Sequence, residues 1–385
     1  MKPCMLLLFL SALVLIVPGC WSKYELTERG FVMGVALDQG ENGKIALTTQ
    51  IYRPTPAKGG SGPSTEASNI NIKTTGASVM EAVRDIPIQL GRKAQWSHMR
   101  VIVVGEKLAR KADIGKLLDF FYRDHEPRHS VSLIVAKGSA AKLLEKQPLV
   151  EQTTGQQLLR ARESAYNDAG KTMDTTLLDL VVQMRSAHSD AAVSYVYENK
   201  KDKQTFNAAG LALFKKGKMT GVLPAKQVEG LLMLRNEYNA GVVEVACPGR
   251  KGESESLEIL VLQTKIKPRL RGDEATVQVR ARADVAIGEL KCTSIETRAD
   301  EAELVRKTEE KLQSQMTGAV RELQTRKTDV IGIGNRIYRM NPGKWKQMKK
   351  NWDNQFAETR FDIRVDVRIV TSGTASGKPV LSEAP

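Results

Sequence analysis

Cysteine is scarce in this chain: four in 385 residues, of which Cys4 and Cys20 fall at the very start. Only Cys247 and Cys292 are left for the body of the protein, too few for the disulfide-stapled scaffold of a small secreted domain. Signatures of catalysis are missing as well. There is no G-x-S-x-G elbow, no Walker loop and no G-x-G-x-x-G; Gly332-Ile333-Gly334 lacks the third glycine and a strong strand before it. Carboxylates are plentiful, but no pair stands out from solvated faces. Histidine occurs four times, and His125-Glu126-Pro127-Arg128-His129 spells the H-E-x-x-H of zinc proteases. That chemistry needs both ligands on one unbroken helix. Pro127 stands between them, a strand-like run from Ser130 to Ala136 follows at once, and neither His98 nor His188 has the spacing of a third ligand. A polar turn is expected here, with no metal and no cofactor; a zinc hydrolase is the alternative.

What the chain does have is a body that can bury cores: 41% apolar against 26% charged residues. Its formal charge is +14, spread over short clusters at Lys200 to Lys203, Lys215 to Lys218 and Lys344 to Lys350. A basic excess has two usual partners, nucleic acid and an anionic membrane.

Residues 1–20 decide between them. One lysine precedes an apolar run from Met5 to Val17, which ends at Pro18-Gly19-Cys20. At about 13 residues the run is short of the ~20 that a spanning helix needs, and it has the length and flanks of an export signal. Val17-Pro18-Gly19-Cys20 resembles the lipobox of bacterial lipoproteins, where the signal is cut before a cysteine that then carries diacylglycerol; Pro18 stands where small residues are usual. Two acyl chains give stable anchoring where one is marginal. The expectation is a protein tethered to membrane lipid through Cys20, with no nucleic-acid partner. Close to anionic headgroups, each lysine or arginine contributes about 1 kcal/mol.

Along the mature chain, Phe31–Leu37 and Lys44–Tyr52 read as strands about a Gly- and Asn-rich turn, and residues 53–75 as a Pro-, Gly- and Ser-rich surface loop. Ser78-Val79-Met80-Glu81 has capping-box spacing and opens a helix that Pro87 kinks or shortens. Strands at Val101–Val104 and Val131–Ala136 alternate with helices from Asp113 and Ser139, a mixed α/β pattern. Residues 155–187 look helical, with Gly170 as a break. The charged stretch around 199–204 reads as a linker.

The second half differs. Leu257–Leu262 and the alternation Val277, Val279, Ala281, Ala283, Val285 predict long strands with one wet face. Residues 301–324 predict an amphipathic helix with the stripe Val305, Leu312, Met316, Ala319, Val320 and Leu323. Asn341-Pro342 supplies an N-cap and first position for a helix carrying Trp345, Met348, Trp352 and Phe356, a stripe read as core. Phe361 to Ile369 alternates and closes an antiparallel sheet against the long helix. The fold class is therefore α+β and multidomain: a mixed α/β N-terminal region, then an antiparallel sheet with a long helix. The expected division is 1–19 signal, 20–198 first domain, 199–204 linker, 205–373 second domain and 374–385 tail. Cys247 and Cys292 each adjoin a strand, so they form either a disulfide or two separate buried thiols.

Ordered pieces of this sequence resemble one family. They are Cys20-Trp21 with Glu25-Leu26; Val35 to Asp38; GASVMEAVR (76–84); Trp96 to Arg100 with VIVVGEKLA; LLDFFYRDHEPR (117–128); GLALFKKGKMTGVL (210–223); DVIGIGNRIYR (329–339); then Pro342, Trp345, Trp352 and Phe356. Together they are similar to the Ger(x)C spore germination lipoproteins, the C subunits of nutrient germinant receptors. The resemblance implies a non-enzymatic lipoprotein on the outer face of the spore inner membrane. It implies assembly with integral-membrane A and B subunits and a part in nutrient-triggered germination. Only Cys20, the lipidation site, carries a role over directly; Trp96, His98, Glu106, Asp119, Arg123, Arg128, Trp345 and Trp352 match recurrent positions. A solute-capturing lipoprotein feeding a transporter is the competing reading, and it requires a two-lobed α/β repeat around a cleft.

Overall fold

The computed structural model describes residues 25–53, 68–247, 249–272 and 274–371. The lipobox cysteine Cys20, the leader and the tail beyond residue 371 lie outside them.

The apolar run Val101–Gly105 (β5) is buried on both faces, as a strand in the middle of a parallel sheet must be. Its Ile102 and Val104 face one core while Val101 and Val103 face another. Around it lie β1 (Arg29–Gln39), β2 (Ile45–Tyr52), β3 (Asn69–Gly76), the short β4 (Lys93–Gln95), β6 (Ser132–Ala136), β7 (Ala191–Glu198), β8 (Phe206–Lys215) and β9 (Lys218–Leu223). The order is β3-β2-β1-β5-β6-β7-β8-β9, with β4 beside β1. The centre, from β1 to β7, is parallel and both flanks are antiparallel.

Helices cover both faces. Val79–Arg84 and Ile86–Leu90 are one helix in sequence pattern but two in space, with Pro87 in the first turn of the second. Ser78 accepts the N–H of Glu81 as its cap. Ala140–Leu144 and Thr154–Asn167 pack on the opposite face. The helical expectation for 155–187 resolves into Thr154–Asn167 and Leu177–Met184, with Gly170 left-handed between them.

Two expectations for this sheet are corrected. Residues 69–75, placed in the 53–75 loop, belong with Gly76 to β3, because Ile70 and Ile72 alternate with polar residues along β2. The segment 199–204, expected as a linker, is the loop of the β7–β8 hairpin. The first sheet therefore continues to Leu223, and Lys216-Gly217, both at positive φ, make the tight turn from β8 to β9.

The second unit is a four-stranded sheet, β10 (Gly241–Ala246), β11 (Ser254–Arg271), β12 (Glu274–Glu289) and β13 (Arg360–Thr371), under the helix Arg298–Thr325. Thr297 and Asp300 form that helix's capping box. Its buried stripe begins at Leu304, with Val305 only half-buried. The closing strand is not antiparallel: β13 lies parallel to β12. A helix about 42 Å long carries the chain back along the sheet, so the next strand starts at the end where β12 started.

The helix Ala225–Arg235 joins the two units, lying against β8, β11 and the long helix. It can come close because residue 230 is glycine: a Cβ there would sit 2.3 Å from the Gln315 carbonyl oxygen. Buried Glu229, one residue earlier, pairs with Lys171 of the first unit and accepts from Gln315 Nε2 of the long helix at 2.9 Å. One apolar core runs through this junction, from Ala192, Leu211 and Leu213 to Trp352 and Phe356.

Candidate functional site

A buried polar constellation lies at that junction. Asp329 follows the long helix and is buried. Its Oδ1 accepts the N–H of Gly332 at 2.9 Å and of Ile333 at 3.0 Å; Oδ2 accepts Gly334 N–H at 2.7 Å and Trp352 Nε1–H at 3.0 Å. One carboxylate thus closes the start of the helix Ile333–Met340 and fixes a core indole. The D-x-x-G-x-G spacing follows. Gly332 adopts φ 84°, and a Cβ on Gly334 would press on Trp345 and Trp352 within 2.9 Å.

The backbone N–H of Asp329 donates to Asp190 Oδ2 at 2.9 Å. Asp190, just before β7, also meets His188 Nε2 at 3.0 Å and Lys215 Nζ at 3.8 Å. Lys215 reaches on to Asp353 at 2.7 Å and to the Lys327 carbonyl. Asn335 accepts the His188 N–H at 2.8 Å and donates to Ser186 Oγ and the His188 carbonyl. Burial opposes a charged His188, but Asp190, with Asp329 and Asp353 behind it, outweighs burial and raises its pKa. Burial raises the pKa of Asp329, against the pull of His188 and the N–H groups it accepts. His188, Asp190 and Asp353 have the donor types and proximity of a metal site. The Lys215 ammonium already lies among these carboxylates, so the charge a metal ion would bring is supplied by the chain.

A cleft of about 810 Å³ opens between the β1–β2 turn and residues 106–125. Val79, Leu108, Leu117 and Phe120 give it an apolar lining; on its rim Asp119 pairs with Arg123, and Asp113 caps the backbone N–H groups of Gly115 and Lys116. It presents apolar surface and no convergent catalytic groups.

The H-E-x-x-H letters fall on an irregular turn. His125 is 95% exposed, while Glu126 accepts the Trp96 N–H at 3.2 Å and pairs with Lys93. Arg128 is exposed, and the other recurrent positions serve packing and local pairing. Trp96 is buried edge-on to Phe120 and Phe121, His98 packs on Phe31, and Glu106 accepts from Tyr195 at 2.7 Å. Trp345 and Trp352 stack edge-on in the core. Cys247 and Cys292 lie with Sγ atoms at bonding distance and Cα atoms 6.1 Å apart. Buried Glu255 beside them accepts the N–H groups of Lys291 and Cys292 at 2.6 and 3.2 Å. Sequence reasoning missed Asp190 and the part played by His188, because their partner lies in another unit; the D-x-x-G-x-G spacing was the one local signal for Asp329.

Residues 22–197 match the family described as spore germination protein N-terminal domain, and residues 209–373 match the one described as spore germination B3/GerAC like, C-terminal. Spore germination protein B3 of Bacillus subtilis (strain 168) is 27% identical over 372 residues, covering 94% of this chain and 96% of the relative. Spore germination protein KC of the same organism is 24% identical over 393 residues, covering 97% and 96%. Among solved structures, the crystal structure of the GerBC protein superposes with a TM-score of 0.55 at 22% identity, covering 91% of this chain and all of that one.

Proposed function

The chain belongs to the spore germination B3/GerAC-like family, and from that premise we propose that it is the lipid-anchored, non-catalytic C subunit of a spore nutrient germinant receptor. The observation that carries this is the pair of family matches in order, 22–197 then 209–373, with named germination proteins aligned along nearly the whole chain. Among the described residues no helix is long and apolar enough to cross a membrane. Attachment is assigned to a diacylglycerol-bearing Cys20, on the outer face of the spore inner membrane.

The integral-membrane A and B subunits are the proposed partners. A tether converts weak contacts with them into intramolecular ones at high effective concentration. A scaffold role agrees with the junction, whose carboxylates, imidazole and ammonium satisfy one another. We further take Cys247 and Cys292 to be joined in the exported protein, their Cα separation of 6.1 Å lying in the usual disulfide range. Two repeated α/β lobes, which solute capture requires, are not what the described residues form: a nine-stranded sheet is followed by a four-stranded one.

The test is a spore strain carrying Cys20→Ala. The expected result is loss of the protein from the inner-membrane fraction and impaired germination on single nutrients, with dormancy unchanged. Normal fractionation would refute the anchor; normal germination in a deletion strain across all nutrients would refute the receptor role.

A further inference from the structure

Beside the junction, a cleft of about 540 Å³ opens between the loop after Leu177–Met184, the end of Ala225–Arg235 and the outer side of Ile333–Met340. Arg185, Arg235, Arg336 and Arg339 line it. The acids at the same cleft are already committed. Asp329 holds four N–H groups, Asp190 holds the Asp329 N–H and meets His188 and Lys215, and Glu237 pairs with Arg235 at 2.9 Å.

Arg235 is further engaged with the Val330 carbonyl at 2.6 Å. Arg185, Arg336 and Arg339 form no ion pair with any described carboxylate. Arg336 is the telling one, because it is half-buried. Burial and the neighbouring charges of Arg339 and Arg235 disfavour its protonated form, while Asp329 alone favours it. A guanidinium held in such surroundings with no ion pair or hydrogen bond of its own among the described residues has its five donors unanswered, and the fork geometry fits carboxylate or phosphate oxygens.

We propose that this arginine-lined cleft binds a small anion through a carboxylate or phosphate group, with Arg336 as the inner contact and Arg339 and Arg185 closing from the rim. Its volume suits a compact molecule rather than a polymer. Exposed Val182 and Tyr338 on the same rim give an apolar surface for the ligand's body, and Asn335 and Gln183 add neutral polar contacts. The D-x-x-G-x-G-N-R run thereby has a second use: its aspartate turns the helix start inward, and its arginine is presented to the cleft. The proposal does not depend on the receptor assignment.

The experiment titrates the purified full chain in detergent with inorganic phosphate, with succinate, and with vesicles of phosphatidylglycerol against phosphatidylcholine, read by calorimetry. Saturable binding of phosphate or succinate is expected, weakened about tenfold or more in Arg336→Gln and in Arg339→Gln. Lys251→Gln, at a distant exposed lysine, should leave it unchanged. Arg339 is exposed, so its variant tests the site even if Arg336→Gln unfolds. Binding only to phosphatidylglycerol vesicles, lost in Arg339→Gln, identifies the anion as a lipid headgroup. No saturable binding of any probe, or binding equal in wild type and Arg339→Gln, overturns the proposal.

Discussion

Asp329 donates its backbone N–H to the Asp190 carboxylate at 2.9 Å, although 139 residues separate them. Asp190 stands at the entrance to β7 of the first sheet and Asp329 at the start of the helix Ile333–Met340, so this bond ties the two units through backbone as well as side chain.

Replacing Asp329 should be among the costliest single changes. Asp329→Ala leaves two buried backbone N–H groups, the part-buried one of Gly332 and the Trp352 indole N–H without an acceptor, each buried donor worth about 1–3 kcal/mol, with relief from burying the carboxylate offsetting part. A net loss of about 3 kcal/mol is expected in urea unfolding followed by tryptophan fluorescence. Asp329→Asn should lose less, since its amide oxygen still accepts while its NH₂ faces donors.

Stability should fall as the medium becomes alkaline. Burial opposes the charge on His188, but Asp190 outweighs it and the folded pKa is raised, so its contribution is complete below the ordinary histidine value of about 6.5 and is lost as pH rises through the folded value. Asp329, raised by its burial, acts in the same sense, starting from about 3.9. The advantage of wild type over His188→Gln in urea melts should therefore be larger at about pH 5.5 than at about pH 9. An advantage that grows with pH would contradict the Asp190 pairing.

Trypsin should nick the exposed Lys200–Lys203 loop without releasing the halves. β7 and β8 share a hydrogen-bonded ladder, and Leu211 and Leu213 are buried in the core under the helix Ala225–Arg235. Two fragments on a denaturing gel that co-elute in gel filtration are expected. Separate elution would mean that the sheet ends at residue 198.

The proposed Cys247–Cys292 bond should be measurable as stability. Its closed loop, with a sequence separation of 45, predicts about 4 kcal/mol from chain entropy. Cys247→Ser/Cys292→Ser should lower the unfolding midpoint, and a reductant should lower that of wild type but not of the variant. Free thiols titrating in the unreduced protein would exclude the bond.

Much of the fold was legible. β5 reads as a central strand because VIVVG has no polar face, and β13 reads as half-buried because Phe361 to Ile369 alternates with charges. Pro127 disclosed the turn hidden in a metalloprotease spelling. What remained hidden was relational. Alternation in β13 is the same whichever way the strand runs, so its parallel pairing with β12 had to come from the length of the intervening helix. The charged 199–204 segment looks alike as a linker or a hairpin loop. No local pattern announces that His188, Asp190 and Lys215 will meet a residue beyond 325, since each looks like an ordinary surface charge in its own segment.

The close crossing at Gly230 bears on how the molecule moves. The Ala225–Arg235 helix is seated against β8 on one side and the long helix on the other, and Glu229 is bonded to Lys171 of the first unit and Gln315 of the second, so one helix holds both sheets. Because one apolar core spans the junction, a protein pressing on the four-stranded sheet is expected to push the nine-stranded one along with it, as a strut passes on a load.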